Sequence, residues 1–295
     1  MQYERERVNL PDGDFLDLDW ILRDHDRLLI LCHGLEGGSD SKYIQGMAQA
    51  ASDRKWDILA LNFRSCSGEI NRRLRMYHHG EIEDLKFIID RILEQLNYRQ
   101  ISLCGFSLGG NVVIKYLGIH GDEVPVPVKN GVAISVPCDL AGSSRALDKW
   151  QNYLYTQRFR KSLKQKFIKK EEMFPGTLNL DKYHRVIKWV DFDNTYTTQL
   201  TPFDSAAEYY EQGSAKNYIV GVRRPTLIIN AENDPFLTDR SYPVDLCRNH
   251  QQVLLEIPKE GGHVGFWHTS RRIAFSESRA LTFLKEMVDV KSVLI

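Results

Sequence analysis

Ile101-Ser102-Leu103-Cys104-Gly105-Phe106-Ser107-Leu108-Gly109-Gly110 is a Gly-x-Ser-x-Gly pattern set between two apolar runs. Ile101, Leu103 and Cys104 read as a short buried strand, and Val112-Val113-Ile114 opens a run of helical length. A strand that enters a helix through one tight turn forces the central residue, Ser107, into a strained conformation. The residues two before and two after it must then be glycine, because a Cβ at either place would strike the neighbouring strand or helix. Such a turn lifts the Ser107 hydroxyl over the sheet end, at a helix N-terminus whose free N–H groups favour developing negative charge. A glycine-rich turn with an incidental serine would carry the same letters, so the surrounding pattern decides.

Upstream, Leu28–Cys32 is wholly apolar, as suits a strand buried on both faces of a mostly parallel sheet. It ends in His33-Gly34-Leu35-Glu36-Gly37-Gly38-Ser39. Val8 to Ile21 carries two strand-like pieces around the turn signal Pro11-Asp12-Gly13, which predicts a hairpin. A helix is expected from Ile44 to Arg54, a strand from Asp57 to Phe63, and a helix from Ile82 to Leu96. In the last, Leu85, Ile88, Ile89, Ile92, Leu93 and Leu96 recur at helical period. Beyond the serine turn come strands at Val128–Val136, Thr226–Asn230 and Val253–Ile257, then an amphipathic helix at Phe275–Met287. This alternation implies an α/β fold: a mostly parallel central sheet of about eight strands with flanking helices. From Asp139 to Val222 the alternation stops, and the chain is helix-forming and aromatic-rich. The expected organisation is a single domain whose core is 1–138 and 223–295, with a helical lid insertion over 139–222.

A chain of 295 residues is near the upper limit for one hydrophobic core. Lys plus Arg equals Asp plus Glu, 39 of each, so no electrostatic footprint points to nucleic acid. Cys32, Cys66, Cys104, Cys138 and Cys247 are scattered, odd in number and free of metal-type pairing. They predict a reducing, cytoplasmic setting without disulfides or a metal. The first seven residues are charged where a signal peptide is apolar, and no run reaches transmembrane length. Within the insertion, Arg158–Lys170 is strongly basic, with Phe159, Leu163 and Phe167 spaced four apart. The simpler reading is a solvated helix packing its apolar stripe on the core; the sharper one is peripheral membrane contact through the basic face.

A serine hydroxyl is a poor nucleophile until a base takes its proton, and the base needs a carboxylate to fix its tautomer. Behind a turn of this kind the partners follow in the order Ser, Asp or Glu, His, on loops after late strands. Asp234 closes Ala231-Glu232-Asn233-Asp234 after the strand at Thr226, with Pro235 stiffening the turn. His263 lies in Gly261-Gly262-His263-Val264-Gly265 after the strand at Val253, where glycines give its ring room. Catalytic Ser107, Asp234 and His263 are therefore expected. Glu232 is nearer its strand, Asp139 would serve only in a variant arrangement, and His268 lies beyond the glycines. His78-His79 looks like a metal pair but lacks a third ligand, so loop polarity explains it better. His25, His120, His184 and His250 read as surface residues. The oxyanion of acyl transfer needs two donors, assigned to the backbone N–H groups of Leu108 and Leu35. His33 is expected to brace the Leu35 loop by hydrogen bonding.

With these residues assembled, the chain resembles the YheT-like family of α/β-hydrolases nearly end to end. The likeness is carried by His33-Gly-Leu-Glu-Gly37, Asn62-Phe-Arg-Ser-Cys-Ser-Gly-Glu69, Tyr77-His-His-Gly-Glu81, Phe192-Asp193, Thr201-Pro202 and Tyr209-Tyr210. Gly105-Phe-Ser-Leu-Gly-Gly110, Asn230-Ala-Glu-Asn-Asp-Pro-Phe236 and Gly261-Gly-His-Val-Gly-Phe266 complete it. One departure is Ser65, where the family pattern calls for glycine. The resemblance implies the α/β-hydrolase fold and a serine carboxylic-ester hydrolase, with acylglycerol lipase or alcohol acyltransferase activity among relatives. The expected chemistry is hydrolysis of short- to medium-chain acyl esters or acylglycerols without a cofactor. Trp150, Tyr153, Leu154, Phe159, Phe167 and Phe174 of the insertion are expected to meet an apolar acyl group. An acyltransferase using the same acyl-enzyme is the alternative, and a non-catalytic binding protein on the same fold is the outsider.

Overall fold

A computed structural model describes residues 2–181, 183–267 and 273–289. The hairpin forms around left-handed Gly13 (φ +83°), pairing β1 (Glu4–Asn9) with β2 (Phe15–Ile21) antiparallel. Next come β3 (Arg27–Cys32), α1 (Lys42–Ser52), β4 (Asp57–Asn62), α2 (Glu83–Gln95), β5 (Gln100–Phe106) and α3 (Leu108–His120). From β3 through α2, each boundary lies within two residues of the one read from the hydrophobic period. The remainder is β6 (Val128–Ile134), α4 (Leu140–Leu147), α5 (Tyr153–Met173), α6 (Trp189–Phe192), α7 (Ala206–Gly213), β7 (Thr226–Ile229), α8 (Val244–Cys247), β8 (Val253–Glu256) and α9 (Phe275–Asp289).

The strands form one sheet in the order β1-β2-β4-β3-β5-β6-β7-β8. β2 meets β4 antiparallel, and every pair from β4–β3 to β7–β8 is parallel. Side chains alternate across a strand, and both faces of this one are covered. Leu28, Ile30 and Cys32 join the core under α2 and α3, with Ile88, Ile92, Val112 and Val113. Leu29 and Leu31 join the core under α1 and α9, with Met47, Ala51, Leu281 and Leu284. That double burial is why β3 is a continuous apolar run.

Between β6 and β7 the described residues hold helices and short 3₁₀ turns, with one π-helical turn at Asp193–Thr197. Leu163 and Phe167 of α5 pack into the core beside Phe192 and Tyr196, as the simpler reading of that helix had it. Trp150, Tyr153 and Leu154 do not face an acyl group: they stand in solvent, 83%, 60% and 78% exposed. Ser65 keeps the left-handed backbone of the glycine it replaces (φ +65°). Its hydroxyl donates to Asn71 Oδ1 at 2.5 Å and accepts from the Asn71 N–H at 3.1 Å, offsetting that strain.

Candidate active site

β5 ends at Phe106 and α3 begins at Leu108, so Ser107 alone makes the turn, at φ +52° and ψ −116°. A Cβ on Gly105 would overlap the Gly109 carbonyl, and one on Gly109 would overlap the Cys32 carbonyl. Helix and strand therefore approach as closely as backbone allows. The turn is held by the Ser107 N–H donating to Ile134 O at 2.8 Å.

Asp234 stands on the loop after β7, its side chain buried, with Oδ1 accepting the Phe236 N–H at 3.0 Å. His263 follows β8 between left-handed Gly262 and Val264 (φ +59° and +56°). Three partners that the motif reading missed lock these loops together. Asn233 Oδ1 accepts from the Gly261 and Gly262 N–H groups at 3.0 and 2.8 Å, and Ser135 Oγ accepts the Val264 N–H at 2.9 Å. Phe236 packs on the His263 ring, centroids 4.3 Å apart. Asn233 and Phe236 lie inside the acid-loop motif, so their signal was their place beside Asp234, whereas Ser135 belongs to no quoted motif.

Ser107, His263 and Asp234 come together. Ser107 Oγ is 2.9 Å from His263 Nε2, and His263 Nδ1 lies 2.9 and 3.0 Å from the two carboxylate oxygens of Asp234. A carboxylate only accepts, so Nδ1 carries the proton and Nε2 is free to accept from the serine hydroxyl. Gly34 abuts the serine: a Cβ there would lie 3.2 Å from Ser107 Cβ. Leu35 follows on a loop tied by Gly34 N–H to Tyr43 OH at 3.0 Å and Gly37 N–H to Gly34 O at 3.0 Å. Leu108 is the first residue of α3, where an N–H has no intrahelical acceptor. His33 braces this loop from inside: Nδ1 donates to Gly34 O at 2.7 Å and Nε2 accepts the Phe63 N–H at 3.1 Å. Burial pushes its pKa down to about 4, so it stays neutral.

The other candidates lie apart. Asp139 caps α4 and pairs with Lys216, and Glu232 is exposed. His268 is outside the described residues. His184 is exposed, whereas His25, His120 and His250 are half-buried rather than on the open surface. His78-His79 needs correction, because the pair is not a polar loop tip. The insert covers it: His78 packs edge-on to Phe203, and His79 Nδ1 meets Tyr209 OH at 2.6 Å. Burial holds their pKa values near 4 and 3, so both are neutral. No group of three potential metal ligands converges among the described residues.

Ser107, His263, His79, Leu35, Phe159, Trp189, Asp193, Tyr210 and Phe236 line a mostly apolar cavity of about 60 Å³. A second lobe of about 50 Å³ shares Leu35, His79, Trp189, Asp193 and Tyr209, and reaches Met76, Leu163, Phe167 and Leu200. Phe159 and Phe167 thus meet the cavity as expected of the insertion's aromatics.

A parallel sheet with a strained serine at the end of a central strand, hydrogen-bonded to a histidine on a loop after the last strand, defines the α/β-hydrolase class. A family model described as alpha/beta hydrolase fold matches residues 27–269. Among curated relatives, "Putative esterase YheT" of Escherichia coli (strain K12) is 35% identical over 267 residues, 88% of this chain and 78% of that protein. A Saccharomyces cerevisiae monoacylglycerol lipase is 25% identical, over 87% of this chain and 58% of its own. Bos taurus phospholipase ABHD3 is also 25% identical, over 90% and 67%. The chain belongs to the α/β-hydrolase fold family, in its esterase- and lipase-type YheT-like branch. The Pyrococcus furiosus esterase Pf2001 matches with a TM-score of 0.67 over 97% of this chain and 91% of its own. At 18% identity that likeness speaks for the fold alone.

Proposed function

We propose that the protein hydrolyses carboxylic esters through an acyl-enzyme on Ser107. The observation that carries this reading is the 2.9 Å contact of Ser107 Oγ with His263 Nε2, backed by Asp234 at 2.9 Å. His263 takes the hydroxyl proton as Oγ attacks the ester carbonyl, and Asp234 stabilises the imidazolium. The tetrahedral oxyanion is held by the Leu35 and Leu108 N–H groups. Its collapse expels the alcohol, which leaves with the His263 proton. Water then attacks the acyl-serine, giving its proton to His263, and the acid departs as Ser107 recovers that proton. An oxyanion donor is worth about 3–4 kcal/mol of transition-state stabilisation.

The helical insert, 139–222, is a lid in this reading. Its Phe159 and Trp189 wall the cavity, and Asn152 Nδ2 donates to Pro235 O at 2.7 Å beside the acid loop. The apolar walls suit a short to medium acyl group, alone or on glycerol. The solvent-facing Trp150, Tyr153 and Leu154, ahead of exposed Arg158 and Lys161, suit peripheral contact with an anionic membrane surface. No described helix is long and apolar enough to cross a membrane.

A fluorophosphonate probe tests the assembled site, because it bonds to an activated serine backed by an oxyanion hole. An adduct on Ser107 is expected, absent in Ser107→Ala and in His263→Ala. Ser107→Ala should abolish ester turnover while thermal stability stays level or rises, since the strained turn loses only its functional group. Ester hydrolysis by Ser107→Ala at the parent rate would overturn the assignment. The acyltransferase alternative shares every step up to the acyl-serine, so it is separated by product analysis with added alcohol.

A further inference from the structure

Glu36 directly follows the loop residue whose N–H is assigned to the oxyanion, and it is a non-glycine residue in the left-handed region (φ +54°). Holding such a backbone costs free energy unless its surroundings fix it. Here Tyr77 OH fixes both ends of the residue: it accepts the Glu36 N–H at 2.8 Å and donates to the Glu36 carboxylate at 2.7 Å. Tyr77 is itself stacked on Phe63, centroids 5.7 Å apart and nearly parallel. The carboxylate, 4% exposed, takes its remaining bonds from α5 of the lid. Lys166 Nζ donates to Oε1 at 2.7 Å and Ser162 Oγ donates to Oε2. One turn on, Lys170 Nζ donates to the Asn71 carbonyl at 2.8 Å. Ser162, Lys166 and Lys170 are four apart and share one helix face, so two lysines of the basic stretch are turned inward rather than solvated.

We propose that Glu36 is a positioning residue that latches the lid helix to the oxyanion loop. Ser162 and Lys166 set the orientation of the Leu35 peptide, so the site is catalytically competent only with α5 docked. The inference rests on the ester-hydrolase reading above. Lifting α5 removes two of the three donors on the carboxylate and leaves Tyr77 OH as the one remaining tie on the left-handed residue, too little to keep the neighbouring N–H in its place. A lid without this connection would affect access alone, and hence KM.

The test is steady-state hydrolysis of p-nitrophenyl butyrate, run beside the rate of fluorophosphonate labelling. Ser162→Ala removes one bond and leaves no charge behind, and should lower kcat a few-fold. Glu36→Gln should lower it about tenfold or more, with KM within about twofold in both variants, because a misplaced oxyanion donor is felt in the transition state. Glu36→Gln strands the Lys166 charge, so Glu36→Gln/Lys166→Met is made in parallel. Two groups in one latch should not lower kcat additively. Lys166→Arg should restore the parent kcat that Lys166→Met loses. Labelling rates should fall in step with kcat. Parent kcat with a lowered Tm would reduce the latch to a structural brace, and a change confined to KM would make it a gate; either overturns the proposal. A parent protein that neither turns over ester nor labels at Ser107 fails differently, since it removes the hydrolase reading itself.

Discussion

Gly109 shows how much one hydrogen atom decides at the serine turn. A Cβ there meets the Cys32 and His33 carbonyls, both backbone, so no side chain can swing aside. Gly176 is the contrast: it is left-handed (φ +85°) with open space around it. Gly176→Ala should cost about 1–2 kcal/mol, the torsional penalty alone. Gly109→Ala should cost about 3 kcal/mol or more, because α3 must move off β3, and should abolish fluorophosphonate labelling. Urea unfolding of the two variants measures the difference. Equal losses would mean that the turn can open without disturbing Ser107. The three residues of the proposed relay were legible at this scale because each sits at an element end marked by glycine or proline. His78 and His79 were misread for the converse reason. A polar dipeptide in a loop looks solvated until a segment distant in sequence, carrying Phe203 and Tyr209, covers it.

At the scale of elements, α5 carries two faces with different fates. Leu163, Phe167 and Lys170 are buried, while Tyr153, Leu154, Arg158, Lys161 and Lys164 are exposed. A face with an apolar tip and a basic shaft is the pattern of a helix that lies on an anionic bilayer. Trp150→Ser/Leu154→Ser removes apolar surface that contacts solvent, so thermal stability should hold within about 0.5 kcal/mol. Co-sedimentation with vesicles containing phosphatidylglycerol should drop several-fold, while hydrolysis of a dissolved short-chain ester is unchanged. Sedimentation equal to the parent's would return the helix to the simpler reading. The core strands and flanking helices were readable because a parallel sheet covered on both faces writes continuous apolar runs, and its helices write a 3.6-residue stripe. The insert wrote only its composition. Its short 3₁₀ and π turns follow no period, so the orientation of Trp150, or of the inward lysines 166 and 170, depends on contacts made far along the chain.

Across the whole molecule, the buried titratable groups set how stability responds to acid. His33, His78 and His79 are held neutral, with pKa values near 4, 4 and 3, chiefly by desolvation. An unfolded histidine takes its proton near 6.5. Below that pH the unfolded chain binds protons that the folded chain refuses, so stability falls as pH drops. Asp193 has the opposite sign. It lies 3% exposed in the wall shared by both cavity lobes, accepts from Tyr210 OH and Thr197 Oγ1 at 2.6 Å each, and pairs with no cation among the described residues. Burial raises its carboxyl to about 6. Between the unfolded value near 4 and about 6, the folded state holds a proton that the unfolded state has lost. That contribution is complete below about 4 and disappears as pH rises through 6. Asp84, raised chiefly by its own burial, adds to the same side. Three imidazoles against the Asp193 carboxyl leave somewhat under two protons, and Asp84 trims that difference further. Stability should therefore fall by up to about 2.4 kcal/mol per pH unit between pH 6 and 4.5. Asp193→Asn removes the opposing group and should steepen that limb by about 1 kcal/mol per pH unit. Above pH 7 the same variant should be more stable, by up to about 3 kcal/mol, since no buried charge remains to be formed. Urea unfolding from pH 8 to 4.5 reads both effects. A flat acid limb in the parent would mean that His78 and His79 take up protons while folded, and that water reaches the cavity they line.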